Sequence, residues 1–208
     1  MAATLENSSR PKALVPPTPG EIIAKYQMTA PVDVVSIAED IGLRVWEMHR
    51  LQEGVSGQIW KDPLNGGTNG FSIGVKATEP LVRKRFTVAH ELAHYILHRN
   101  RLDGGLFEDV MYRGGLSSRE ETQANQMAAD ILMPFQLINK LVDQGENTLE
   151  RLAGRVFLPD GHESRHFLLG DVNGFPTPVS KGDVFDFVVG EGDAIAICFG
   201  FGGAFARR

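Results

Sequence analysis

The sequence predicts an α+β fold, and three observations carry that prediction. Three short β-branched or aromatic runs lie between residues 43 and 75, separated by Gly, Asn and Pro. Two strong helical stretches with apolar stripes occupy the centre of the chain. Near the end, two apolar runs flank Gly-Glu-Gly-Asp, the pattern of a β-hairpin.

Taken in order, residues 1–19 carry Pro11, Pro16, Pro17 and Pro19 among small polar residues and read as a flexible lead-in. "EIIAKYQ", after Gly20, begins a short helix. In "PVDVVSIAEDIG" the apolar residues Val32, Val35, Ile37, Ala38 and Ile41 have helical spacing, with Pro31 suited to the first turn and Gly42 to the end. "LRVWEM", "VSGQIW" and "GFSIGV" read as strands of a small antiparallel or mixed sheet, with "DPLNGGTNG" as the turn between the last two. A helix is expected from Leu81 to His98, then a glycine-rich loop, "NRLDGGLFEDVMYRGGLSS". A second helix follows from Arg119 to Met133 and stops at Pro134; Ala124, Met127, Ala128, Ile131 and Leu132 form its core-facing stripe. "FQLINKLVDQG" and "TLERLAGRVFL" predict two shorter helices, and "DVFDFVVGEGDAIAICFGF" the terminal hairpin.

The composition narrows the class. The chain has 208 residues, 42% hydrophobic and 23% charged, with a net charge of -5. That balance argues against a protein whose main task is neutralising nucleic-acid phosphates. A single cysteine, Cys198, forbids an intrachain disulfide and fits a reducing compartment. The first twenty residues lack the apolar core of a signal peptide, and no run of eighteen apolar residues occurs. The expectation is a soluble, cytoplasmic protein that neither enters a membrane nor binds nucleic acid directly.

The chemistry concentrates in "FTVAHELAHYILH". Three of the six histidines, His90, His94 and His98, fall within nine residues. Helical positions four apart differ by about 40° and about 6 Å, so His90 and His94 project side by side and can hold one Zn²⁺. Glu91 lies about 100° from His90 and about 60° from His94. It can stand beside the ion without ligating it, as a general base does in an H-E-x-x-H helix. His98 lies about 12 Å along the axis from His90, too far to share the ion, and is read as supporting the site from behind. Tyr95 points to another face and is read as core.

A third ligand must come from elsewhere. "SSREETQANQMAADILMP" offers Glu120 and Glu121 in the first turn of the second helix. Both fit a capping box, with Ser117 and Ser118 respectively, and both complement the helix dipole. Periodicity does not choose between them. Alanines at 89, 93, 124 and 128 would let the two helices approach closely, so that either glutamate could complete a His₂Glu site with an open fourth position. Mn²⁺ or Fe²⁺ would also suit such ligands.

"RFTVAHELAHYILH" followed by "EETQANQMAADILMP" resembles the ImmA/IrrE family of metallo-endopeptidases. The resemblance covers about residues 20 to 140, including "PVDVVSIAEDIGLRV" and "VSGQIW". It implies a zincin-like domain over residues 20–140 in which His90, His94 and Glu121 bind zinc and Glu91 is the catalytic base. Ala124, Asn125 and the Leu-Met-Pro at 132–134 match the family's second motif; Gln123 and Met127 depart from it, where members often have an acid and a Phe. Residues 141–170 are expected to be helical, and within them "LERLAGRVFLPDGHESRHFLLGD" is faintly similar to the family's helix-turn-helix-like segment. Residues 171–208 form the hairpin extension. The resemblance further implies a narrow protein target, an XRE-type helix-turn-helix repressor or antitoxin, cleaved in stress, phage or mobile-element control.

Several finer expectations accompany this reading. An oxyanion-stabilising group is sought among His162, His166, Arg165 and Tyr112. Asn125 is expected to orient Glu121 or to contact substrate, and "GFSIGV" to accept the substrate backbone by strand addition. Three rivals stand beside it: a protease-like module that sequesters its repressor without cutting, a DNA-binding regulator using residues 149–170, and a structural metal site. The last would need four protein ligands where the sequence offers three.

Overall fold

The computed structural model describes residues 16–103, 118–146, 148–157, 184–189 and 195–200. Helix α1, Pro19–Tyr26, starts with a capping box in which Glu21 N–H donates to Thr18 Oγ1 and Thr18 N–H donates to the Glu21 carboxylate. Helix α2, Val34–Ile41, begins one turn later than expected. Asp33 is its N-cap, accepting from the Ser36 backbone N–H, and Pro31 precedes the helix rather than opening it. Gly42 closes α2 at φ 96°, a left-handed cap that turns the chain directly into β1, Leu43–Met48.

Strand β2 is Gly57–Lys61 and β3 is Phe71–Lys76. The sheet order is β1-β3-β2, with β3 parallel to β1 and antiparallel to β2, so the sheet is mixed. Its two faces follow from the register. Leu43, Ile59, Phe71, Ile73 and Val75 share one face and are buried, while Trp46, Gln58, Trp60 and Ser72 share the other. On that second face Trp46 Nε1 donates to Ser72 Oγ, which donates to Asp62.

Helix α3 spans Leu81–Asp103, five residues beyond the predicted end, with a break at His98 (φ -124°, ψ 20°). It contributes Phe86, Val88, Ala89, Leu92 and Tyr95 to the core beneath the sheet, and Tyr95 packs edge-on against Phe71 at 5.3 Å. Each such fully buried side chain is worth about 1.5–3 kcal/mol relative to exposure. Helix α4, Ser118–Leu132, packs along α3, burying Ala124, Ala128, Ala129, Ile131 and Leu132. Its last carbonyls, of Asp130 and Ile131, accept from the Gln27 side chain. Helices α5, Phe135–Asp143, and α6, Leu149–Phe157, extend the core through Leu137, Ile138, Leu141, Leu152, Val156 and Phe157. Strands β4, Val184–Val189, and β5, Ile195–Gly200, pair antiparallel as the predicted hairpin. The architecture is α+β. Among the described residues no helix is long and apolar enough to cross a membrane.

Candidate metal centre

Helix periodicity puts His90 and His94 on one face of α3, and the packing of α4 against α3 brings Glu121 over them. The Nε2 atoms of His90 and His94 are 2.9 Å apart. Glu121 Oε2 lies 3.4 Å from His90 Nε2, and its Oε1 lies 3.6 Å from His94 Nε2. Ligand atoms held at 2.0–2.1 Å by one tetrahedral ion stand roughly 3.3–3.4 Å apart. The observed separations of 2.9, 3.4 and 3.6 Å bracket that spacing, and among the described residues these three are the group that could hold a metal ion.

The donor chemistry agrees with the distances. His90 Nδ1 faces Asn125 Oδ1 at 2.9 Å. An amide oxygen only accepts, so Nδ1 carries a hydrogen, and in the neutral ring Nε2 is the nitrogen left with a lone pair for an ion. A carboxylate and two imidazole nitrogens meeting at one point require positive charge among them. In the metal-free protein a proton meets that need in part. Burial disfavours the charged form of His90, but the bond to Glu121 and the charges of Glu91 and Glu121 outweigh it, and its pKa is raised. The imidazoles of His90 and then His94, both facing the carboxylate, hold the Glu121 carboxyl far below the usual range.

Glu91 differs from Glu121 in kind. It is 6% exposed, its Oε2 has no hydrogen-bond partner, and burial pushes its pKa up against the pull of the two histidines. A desolvated carboxylate beside the metal-binding group, yet outside it, is suited to accept a proton.

These residues line one cleft of about 470 Å³, walled on the opposite side by Gly54–Gln58 and extended along α3 by Thr87, Phe86 and Arg83. The wall is close because Gly57 lacks a side chain: a Cβ there would lie 2.2 Å from Thr87 Cγ2 and 3.6 Å from Glu91 Cγ. The backbone bonds Lys76 N–H to Ser56 O and Asp62 N–H to Gly70 O fix the pairing phase of β2 with β3. In that phase Gly57 and Ile59 aim their N–H and C=O groups away from β3, along the outer edge of the sheet.

This overturns one expectation. "GFSIGV" is the central strand, with β1 and β2 occupying both of its edges, so it has no edge to offer a substrate. Strand β2 has one. Of the other expected residues, His98 stacks its ring 5.5 Å from His94 but contributes no atom to the metal-binding group, and Tyr95 is core. Asn125 contacts His90 rather than Glu121. His162, Arg165, His166 and Tyr112, and Ser117 of one proposed cap, lie outside the described residues. Sequence reasoning missed the cleft wall at Gly54–Gln58. The glycines at 54 and 57 were its one visible signal.

An H-E-x-x-H helix set against a glutamate of a neighbouring helix, at one cleft, defines a metallopeptidase-like protein. Residues 38–157 match the family model of peptidase M78, the IrrE N-terminal-like domain. The chain belongs to this zinc metallopeptidase family, and the matched region contains every residue of the site just described. No curated protein matches the chain.

Proposed function

We propose that the protein is a cytoplasmic zinc-dependent endopeptidase acting on one specific protein target, an XRE-type helix-turn-helix repressor or antitoxin. The observation that carries the catalytic part is the convergence of His90, His94 and Glu121 on one point beside the buried Glu91, whose Oε2 has no hydrogen-bond partner. His90, His94 and Glu121 would hold the ion. When bound, it supplies Lewis acidity, polarising a peptide carbonyl and easing deprotonation of a nearby water. Glu91 takes the water's proton and passes it to the leaving amine. Asn125 keeps His90 in the tautomer that turns Nε2 inward. The outward N–H and C=O groups of Gly57 and Ile59 pair with the extended substrate backbone and lay it across the cleft.

The choice of target rests on the family resemblance of the two motifs. It is tested by incubating the zinc-loaded protein with any XRE-type helix-turn-helix repressor encoded beside its own gene. Fragments from the wild type and none from Glu91→Gln, with zinc retained in both, support the reading. A stable complex without fragments supports a sequestering module instead, and neither binding nor cleavage removes the repressor as target.

A further inference from the structure

Asn125 uses only half of its side chain on His90. Its Oδ1 accepts from His90 Nδ1 at 2.9 Å, which commits the amide oxygen and fixes which end of the amide is which. Two N–H donors remain on Nδ2. Nδ2 makes no hydrogen bond among the described residues and is not one of the buried atoms left without a partner, so it meets the cleft that Asn125 lines. Neighbouring donors are already engaged. Thr87 Oγ1 donates to the Arg83 carbonyl, Gln58 Nε2 to Met48 Sδ, and the Arg83 guanidinium to Ser56 Oγ while it pairs with Glu79.

The position of that amide suits an extended peptide. Strand β2 and helix α4 both pack on α3, and the cleft lies between the Gly54–Gln58 wall and the turn of α4 that carries Glu121 and Asn125. A peptide paired with the outward N–H and C=O groups of Gly57 and Ile59 turns those of its alternate residues away from β2. Such a carbonyl loses water on entering the cleft, and left unpaired it would oppose binding. Asn125 follows Glu121 by one helical turn, about 6 Å, which an extended chain covers in about two residues of about 3.3 Å each.

We propose that Asn125 is a substrate-binding residue: while its Oδ1 holds His90, its Nδ2 donates to a substrate main-chain carbonyl within about two residues of the scissile bond. This rests on the endopeptidase reading above and adds the group that grips the peptide on the side facing away from β2. One planar amide then links the two halves of the site, since a bond at Nδ2 and a bond at Oδ1 favour the same side-chain orientation. A main-chain carbonyl belongs to every sequence, so the contact sets the depth and register of the peptide rather than a side-chain preference.

Asn125→Asp separates the two roles, because the carboxylate keeps an acceptor for His90 Nδ1–H and removes both N–H donors. A peptide that the zinc-loaded wild type cuts is chosen from a digest of proteome-derived peptides. Its affinity is then measured by calorimetry in the inert Glu91→Gln background. Adding Asn125→Asp should leave one equivalent of zinc bound and weaken the peptide about tenfold, the scale of one lost hydrogen bond. Replacing the peptide's amides one at a time by (E)-alkenes keeps the extended shape and removes the carbonyl. At one position within about two residues of the cut, the alkene should cost about tenfold less affinity in Asn125→Asp than in its parent. Unchanged peptide affinity in Asn125→Asp overturns the contact. Additive losses at every alkene position overturn it too, since they are the mark of the added charge alone. Loss of zinc from Asn125→Asp overturns the division of labour between Oδ1 and Nδ2. If the wild type cuts no peptide and no repressor, the endopeptidase reading itself has failed, and that result is distinct from every other.

Discussion

Replacing Gly57 by alanine should distort the cleft in a way that a second, smaller substitution repairs. The added Cβ would lie 2.2 Å from Thr87 Cγ2 and 3.1 Å from Gly74 O. Ordinary carbon–carbon contact is about 3.5–4.0 Å, so β2 or Thr87 must yield by roughly 1.3 Å or more. Thr87 cannot simply rotate, because its Oγ1 donates to the Arg83 carbonyl at 2.9 Å and holds the methyl in place. Overpacking of this kind costs about 1–3 kcal/mol. Moving the substrate-binding edge by about 1 Å relative to Glu91 should lower kcat/KM about a hundredfold. Thr87→Ser removes Cγ2 while keeping the hydroxyl bond, leaving Gly74 O as the closest neighbour of the new methyl. The double variant should therefore recover most of the lost stability and activity. Chemical denaturation of the four proteins, with cleavage rates on a common peptide, closes a double-mutant cycle. A coupling of about 1 kcal/mol or more in favour of the pair is expected. Additive losses would show that the clash with Thr87 does not set the position of β2.

Other expectations concern the centre itself. Glu121→Ala should abolish stoichiometric zinc binding measured by elemental analysis, whereas Glu120→Ala should keep about one equivalent; the reverse result moves the ligand by one residue. Asn125→Ala should weaken zinc affinity by about 10–100-fold in a competition titration, since it frees the His90 ring to turn; unchanged affinity would deny Asn125 that role. In the metal-free protein the raised pKa of His90 contributes stability that is lost as pH rises through its folded value, and the lowered pKa of Glu121 contributes stability lost as pH falls through its own. Zinc must displace the proton on His90, so below that raised pKa the apparent affinity should fall about tenfold per pH unit. Calorimetry in buffers of different ionisation enthalpy checks this, and binding without proton release would refute it.

Much of the architecture was legible because its signals are local. The i, i+4 spacing of His90 and His94 fixes their shared face wherever the helix lies, and short β-branched or aromatic runs bounded by Gly, Asn and Pro mark the three strands. Boundaries were less legible. Pro31 looked like the opening of α2, but Asp33, whose side chain accepts from the Ser36 N–H, is the N-cap and the helix starts three residues later, at Val34. Helix α3 ran past His98 despite the break there, which periodicity did not reveal.

The sequence by itself determined a helix carrying two imidazoles and a glutamate in H-E-x-x-H order, and a second helix bearing adjacent acids in its first turn. Those are properties of helical period and composition. Tertiary structure turned to both imidazoles the Glu121 that the family resemblance had singled out and helical period could not separate from Glu120, and it decided that Asn125 grips His90 and that, among the described residues, β2 rather than β3 is the open edge. The reason is physical. A helix fixes angles among its own side chains, but which side chains of two helices or three strands meet depends on how their faces pack, and adjacent residues such as Glu120 and Glu121 are equivalent until a partner surface breaks the tie.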